Sequence, residues 1–164
     1  LTISAAVKKC VAGGEFVARA ALFLMVVHVC AEAIGRYIFN QPLPMTIEIV
    51  ASYYLVAIIF WSLAAVEMSD AHTKVELLSE VVSSRTSAVA DMVSGVLSVG
   101  ILTLMVVAAF HEAITQTRVL AVASGPFFDL PVWPARWLVP TGFAMFLAVL
   151  VMRVWDARRG AVSA

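Results

Sequence analysis

Ala20-Ala21-Leu22-Phe23-Leu24-Met25-Val26-Val27-His28-Val29-Cys30-Ala31 is a run of twelve residues without a formal charge. Apolar character extends on both sides of it, from about residue 11 to 38. About twenty apolar residues in a helix cross the hydrocarbon of a bilayer, so this stretch reads as a transmembrane helix. Glu15 and Arg19 near one end, and Glu32 and Arg36 near the other, are each spaced i, i+4 with the acid first, the favoured order for an ion pair on a helix. Long Arg side chains also reach toward the headgroups.

The same pattern recurs along the chain. After Pro42 and Pro44 a second apolar run covers about 47–66, with Thr46 placed to cap it and Glu48 in its first turn, where a carboxylate suits the helix dipole. A third covers about 88–117, with Ser94, Gly95, Ser98 and Gly100 offering small-residue surface to a neighbouring helix. A turn-rich connection through Gly125, Pro126 and Pro131 leads to a fourth run over about 132–155, where an internal Pro140 predicts a kink. Four spans in a single membrane domain over 1–164 account for nearly all of the residues.

Composition agrees. The chain is 62% hydrophobic and 13% charged, against about half and a quarter in soluble domains. The net charge of zero gives no sign of a nucleic-acid partner. Cys10 and Cys30 would lie about 30 Å apart on one helix, beyond disulfide reach. Lys8 and Lys9 before the first span resemble the start of a signal peptide, but the apolar stretch is too long for one.

Between spans two and three, residues 67–91 are polar. Thr73 and Glu76 have capping-box spacing, and Ala71, Val75, Leu78 and Val82 recur on one face opposite Glu76, Ser79, Glu80 and Ser83. This predicts a short amphipathic helix over about 73–85, lying in the membrane interface. The alternative is a loop whose periodicity is accidental. Lys8, Lys9, Lys74, Arg85, Arg153, Arg158 and Arg159 fall on one side of a four-span chain, against Arg36, Arg118 and Arg136 on the other. Both termini are therefore expected on the cytoplasmic side.

No phosphate loop, nucleophile elbow or metalloprotease motif occurs, so the chain is not expected to be an enzyme. His28 and His111, on different spans, could ligate a haem and make the chain an electron-transfer subunit. The plainer reading has His28 bonding a neighbouring helix and His111 meeting headgroups or water. No lone carboxylate sits at mid-bilayer, and Pro140 has no counterpart in a second repeat. The chain thus reads as a partner subunit rather than a solute path.

Several short runs resemble a known family. Arg36-Tyr37-Ile38-Phe39-Asn40 is similar to the Arg-Tyr-x-Phe-Asn run of the small, Q-type (DctQ-like) membrane subunits of tripartite ATP-independent periplasmic (TRAP) transporters. Leu43-Pro44-Met45-Thr46-Ile47-Glu48 follows, with Met45 where the family usually has Trp, Ile47 where it has a first acid, and Glu48 keeping the second. His72-Thr73-Lys74-Val75-Glu76 resembles a His-x-x-Val-Asp pattern. Leu130-Pro131-Val132-Trp133 and Pro140-Thr141-Gly142-Phe143 resemble motifs before and within the last span.

The resemblance implies a scaffold in the bacterial inner membrane, without a cofactor. It would support a large multi-span (M-type) subunit and help dock a periplasmic substrate-binding (P-type) protein. The system would import organic acids on an ion gradient, usually sodium. It also implies that Arg36, Tyr37 and Phe39 anchor the outer end of span one, and that Glu48 caps span two or pairs with a cation such as Arg36. Pro131 and Trp133 would shape the outer surface, Pro140 would belong to the last-span motif, and His72, Lys74 and Glu76 would fix the interfacial helix. For each residue the alternative role is lipid anchoring or helix capping.

Overall fold

The computed structural model describes residues 2–41, 43–69, 84–125 and 128–162. Four helical segments in it are long and apolar enough to cross a membrane: Ala5–Tyr37, Thr46–Ser69, Val93–Arg118 and Ala135–Trp155. They are called spans 1 to 4 below. The expected interfacial helix over 73–85 lies almost wholly outside the described residues. Span 3 belongs to a helix already under way at Ser84.

Span 1 is part of a 36-residue helix, Thr2–Tyr37, about 54 Å long, so it exceeds the hydrocarbon thickness and must tilt or project. Its inward face is a seam of period 3.5: Val7, Val11, Gly14, Ala18, Ala21, Met25, His28, Glu32 and Gly35 are all buried or half-buried. Span 3 buries a similar narrow seam through Gly95, Val99, Leu102, Val106, Ala109 and Ala113. That spacing is the knobs-into-holes repeat of paired helices. Small residues fill much of it, which lets backbones approach in a setting where lipid tails compete for every apolar contact.

The spans form an open row rather than a closed bundle. Span 1 packs on span 2, span 2 on span 4, and span 4 on span 3; span 1 also touches span 4. Span 4 is the hub. Pro140 is fully buried, and a Cβ on Gly142 would stand 2.5 Å from the Phe60 carbonyl oxygen, so spans 2 and 4 cross with backbones nearly in contact there. Phe60 and Phe143 meet edge to face beside the crossing, centroids 4.9 Å apart. The Trp61 indole donates to the Leu138 carbonyl (3.1 Å) and the Thr141 hydroxyl (3.2 Å). On the other side, the Trp137 indole donates to the Thr117 hydroxyl (3.0 Å) and its ring stands edge-on to Phe110. Near the chain-terminal end, Val11, Ala64 and Val149 form a small three-span core, and Arg153 bonds Glu67 across spans 4 and 2.

Two expectations are corrected. Pro140 does not kink the middle of a span: a 3-10 turn, Ala135–Trp137, leads into a helix starting at Leu138, so Pro140 occupies the first turn. Its missing N–H has no intrahelical partner to lose there. The connection before span 4 is also more ordered than a turn-rich loop. Val122–Ser124 (β1) and Asp129–Pro131 (β2) pair antiparallel, Val122 opposite Pro131.

Candidate partner-binding surface

The two described connections meet at one end of the row. Span 1 stops because Asn40 takes left-handed backbone (φ 51°), which Asn tolerates better than most residues. The chain then folds back, and the Gln41 N–H donates to the Gly35 carbonyl (2.9 Å). A Cβ on Gly35 would be 2.8 Å from the Gln41 carbonyl oxygen. The Arg-Tyr-x-Phe-Asn run is therefore a helix terminus, and it leaves Tyr37, Ile38 and Phe39 strongly exposed.

Met45 is buried, also in left-handed backbone (φ 58°). A Cβ on Gly125 would lie 2.3 Å from its sulfur, so the Met45 side chain covers Gly125 and ties the first connection to the hairpin. The following helix widens into a π-turn over Val50–Tyr54, a form that recurs at functional sites. The turn sends adjacent tyrosines to different neighbours. The Tyr53 hydroxyl donates to the Pro131 carbonyl (2.5 Å) on β2. The Tyr54 ring stands edge-on to His28, with its hydroxyl 3.5 Å from Nδ1.

The residues singled out from the sequence sort as follows. Arg36 pairs with Glu32, its Nε donating at 2.8 Å, and not with Glu48. Glu48 is half-buried in the first turn of span 2, with no ion pair among the described residues. Pro131 is exposed and Trp133 half-buried on the hairpin side of the same end; the Trp133 N–H donates to the Ala121 carbonyl (3.2 Å). Pro140 is fully buried in the first turn of the span 4 helix and not on this surface. His72, Lys74 and Glu76 lie outside the described residues.

Sequence reasoning missed Gly125 and gave Met45, Tyr53 and Tyr54 no partners. The Ser-Gly-Pro turn was the available signal for Gly125. For the tyrosines there was none, because a π-turn leaves no period in the sequence.

The geometry gives the haem alternative no support. His28 is engaged by Tyr54 on span 2, while His111 is exposed on span 3, at the far end of the row from span 1. Among the described residues no group of three or more His, Cys, Asp or Glu could hold a metal ion.

The family model described as "Tripartite ATP-independent periplasmic transporters, DctQ component" matches residues 25–160. The matched stretch covers both connections described above and all of spans 2 to 4. No curated protein and no solved structure matches the chain.

Proposed function

The chain belongs to the DctQ component family of the tripartite ATP-independent periplasmic transporters, and from that membership we propose that it is a fixed scaffold for the large membrane subunit and part of the landing surface for the periplasmic substrate-binding protein. Its family is a transporter component and not an enzyme family. The organic-acid substrate and the sodium gradient belong, on this reading, to its partners.

One observation carries the scaffold role. The four spans form an open row, with large apolar side chains exposed along spans 1 and 3 and no enclosed passage between them among the described residues. Such a row gives a solute nowhere to cross, yet offers long faces for another membrane protein to pack on. The docking role is supported by the connection end, where the Met45–Gly125 contact and the Tyr53–Pro131 bond tie the paired strands to the start of span 2. A surface ordered before binding lowers the ordering cost of binding. On the charge bias of the sequence, this end faces the periplasm and both termini the cytoplasm of a bacterial inner membrane.

Co-purification from native membranes tests the reading. The chain should bring down a much larger multi-span protein, and deletion of either should abolish uptake of a carboxylate substrate. Normal uptake without the chain would refute it.

A further inference from the structure

Near the chain-terminal end, an open groove of about 410 Å³ runs between spans 1 and 2, edged by Lys8, Glu15, Ser62 and Ser69 over an alanine and valine floor. Lys8, Ala12, Glu15 and Arg19 succeed one another at steps of four, three and four residues. They form one stripe along span 1, about 16 Å long.

The stripe runs into the apolar part of the row. Gly14, beside Glu15, faces the Trp61 carbonyl, which lies well inside the Glu67–Arg153 pair that closes this end. Arg19 is one further turn inward. Its guanidinium bonds Glu15 yet stays 74% exposed, among the bare phenyl rings of Phe16 and Phe23. A guanidinium has five donors, and one carboxylate oxygen cannot satisfy them. Charges at such depth face protein or water rather than lipid tails. Span 3 contrasts with this, since its exposed surface over Val93–Phe110 carries no charge and offers a partner no polar anchor.

We infer that the Lys8–Arg19 stripe and its groove seat a helix of the large membrane subunit, one that presents a carboxylate or amide acceptor opposite the Arg19 guanidinium. A lipid headgroup is the rival acceptor, since a long Arg side chain also reaches toward the surface; the groove beside the stripe favours a helix over a headgroup. The stripe lies N-terminal to the residues matched by the family model, so the assignment comes from this chain's own side chains. It rests on the scaffold reading above, and says which face of the row the partner takes.

The test places a benzophenone on a single cysteine in a chain whose Cys10 and Cys30 are replaced by serine, with the large subunit co-expressed. Illumination from position 12, in the groove, should give an adduct with the large subunit at least tenfold stronger than from position 104, on the exposed face of span 3. Equal or reversed yields overturn the inference, as do adducts with lipid alone from position 12. Arg19→Leu should lower the co-purified large subunit about tenfold while the variant's own yield and helicity hold, because the Arg19 hydrogen bond goes to Glu15 on its own helix and the side chain is mostly exposed. Unchanged co-purification overturns the inference. The unmodified chain is the control that separates the two readings. If it fails to bring down a large subunit at all, the scaffold role falls; if it succeeds while the groove stays unlabelled, only the seat is wrong.

Discussion

Asn40, Met45 and Leu120 hold left-handed backbone at the connections, with φ of 51°, 58° and 48°. An ordinary L-residue there costs about 1–2 kcal/mol, so each position has a reason or a penalty. Asn40 suits its place, and the Arg-Tyr-x-Phe-Asn run ends on it because the helix must stop there. Asn40→Ala should destabilise the fold by about 1 kcal/mol and Asn40→Gly should be close to neutral. Denaturant unfolding of purified protein in mild detergent would read the difference. Leu120 closes span 3 in a Schellman turn, with the Ala121 N–H on the Gln116 carbonyl and the Leu120 N–H on that of Thr117. Its side chain is 63% exposed and has little packing to lose. Leu120→Gly should therefore gain about 0.5–1 kcal/mol in the same measurement; a loss would mean that the leucine has a partner in the assembly. Met45 is the strained position that is also buried, and its sulfur over Gly125 offsets the strain. Gly125→Ala should loosen the hairpin, because the added methyl would overlap the sulfur at 2.3 Å. The expected readout is faster hydrogen exchange at Ala123 and Leu130.

At the scale of elements, the existence of the four spans was legible, because each contains a long apolar run and a bilayer admits little except helices there. The end of span 1 was legible from Pro42 and Pro44 after it, but Thr46 does not cap span 2: Met45 holds the cap position and no side chain caps it. What the sequence did not disclose was which stripe of each span faces inward. In a helix that is apolar all round, the hydrophobic pattern that orients a soluble helix is missing. The signal lay instead in small residues at period 3.5, and it can be read in span 1 only once Gly14, Ala18 and Ala21 are seen to be buried. The π-turn at Val50–Tyr54 and the short hairpin left no pattern, since both are set by tertiary contacts of Tyr53 and Met45. Pro140 misled because the helix was begun six residues too early, at 132 rather than 138. Two glycines test the distinction between seam and free surface. Gly142→Ala should cost about 1–3 kcal/mol, since the methyl would drive span 4 off the Phe60 carbonyl. Gly100 has nothing within 4 Å, and Gly100→Ala should gain about 0.5–1 kcal/mol from helix propensity alone. Thermal unfolding of the two variants side by side, with opposite signs expected, would check the row geometry without any partner present.

At the scale of the molecule, the open row explains why the candidate site could be read only in part. Motif residues at the connections stood out from the sequence, but a surface that becomes complete against another protein leaves half of its pattern in that protein. Ten hydrophobic residues are buried among those described, and six of them are alanine. Large side chains such as Phe16, Phe23, Leu97 and Leu104 lie outside. Burial within the chain therefore contributes little of its stability, and on the scaffold reading contact with a partner adds to it. This has a measurable consequence. A partner that binds only the folded row, at about a hundred times its dissociation constant, adds about 2.7 kcal/mol to apparent stability. For a chain of this size, each kcal/mol corresponds to about 2–4 °C. The chain purified with its large subunit should thus lose structure about 5–10 °C above the chain purified alone in the same detergent, followed by Trp fluorescence with Trp61 and Trp137 as reporters at the two span 4 seams. Most of that increment should vanish in the Gly142→Ala variant only if the large subunit binds the assembled row and not spans 1 and 2 alone. An increment that survives the substitution would show that the seat on spans 1 and 2 carries the partner without span 4, and one that is absent from the native pair would show that the row is already complete.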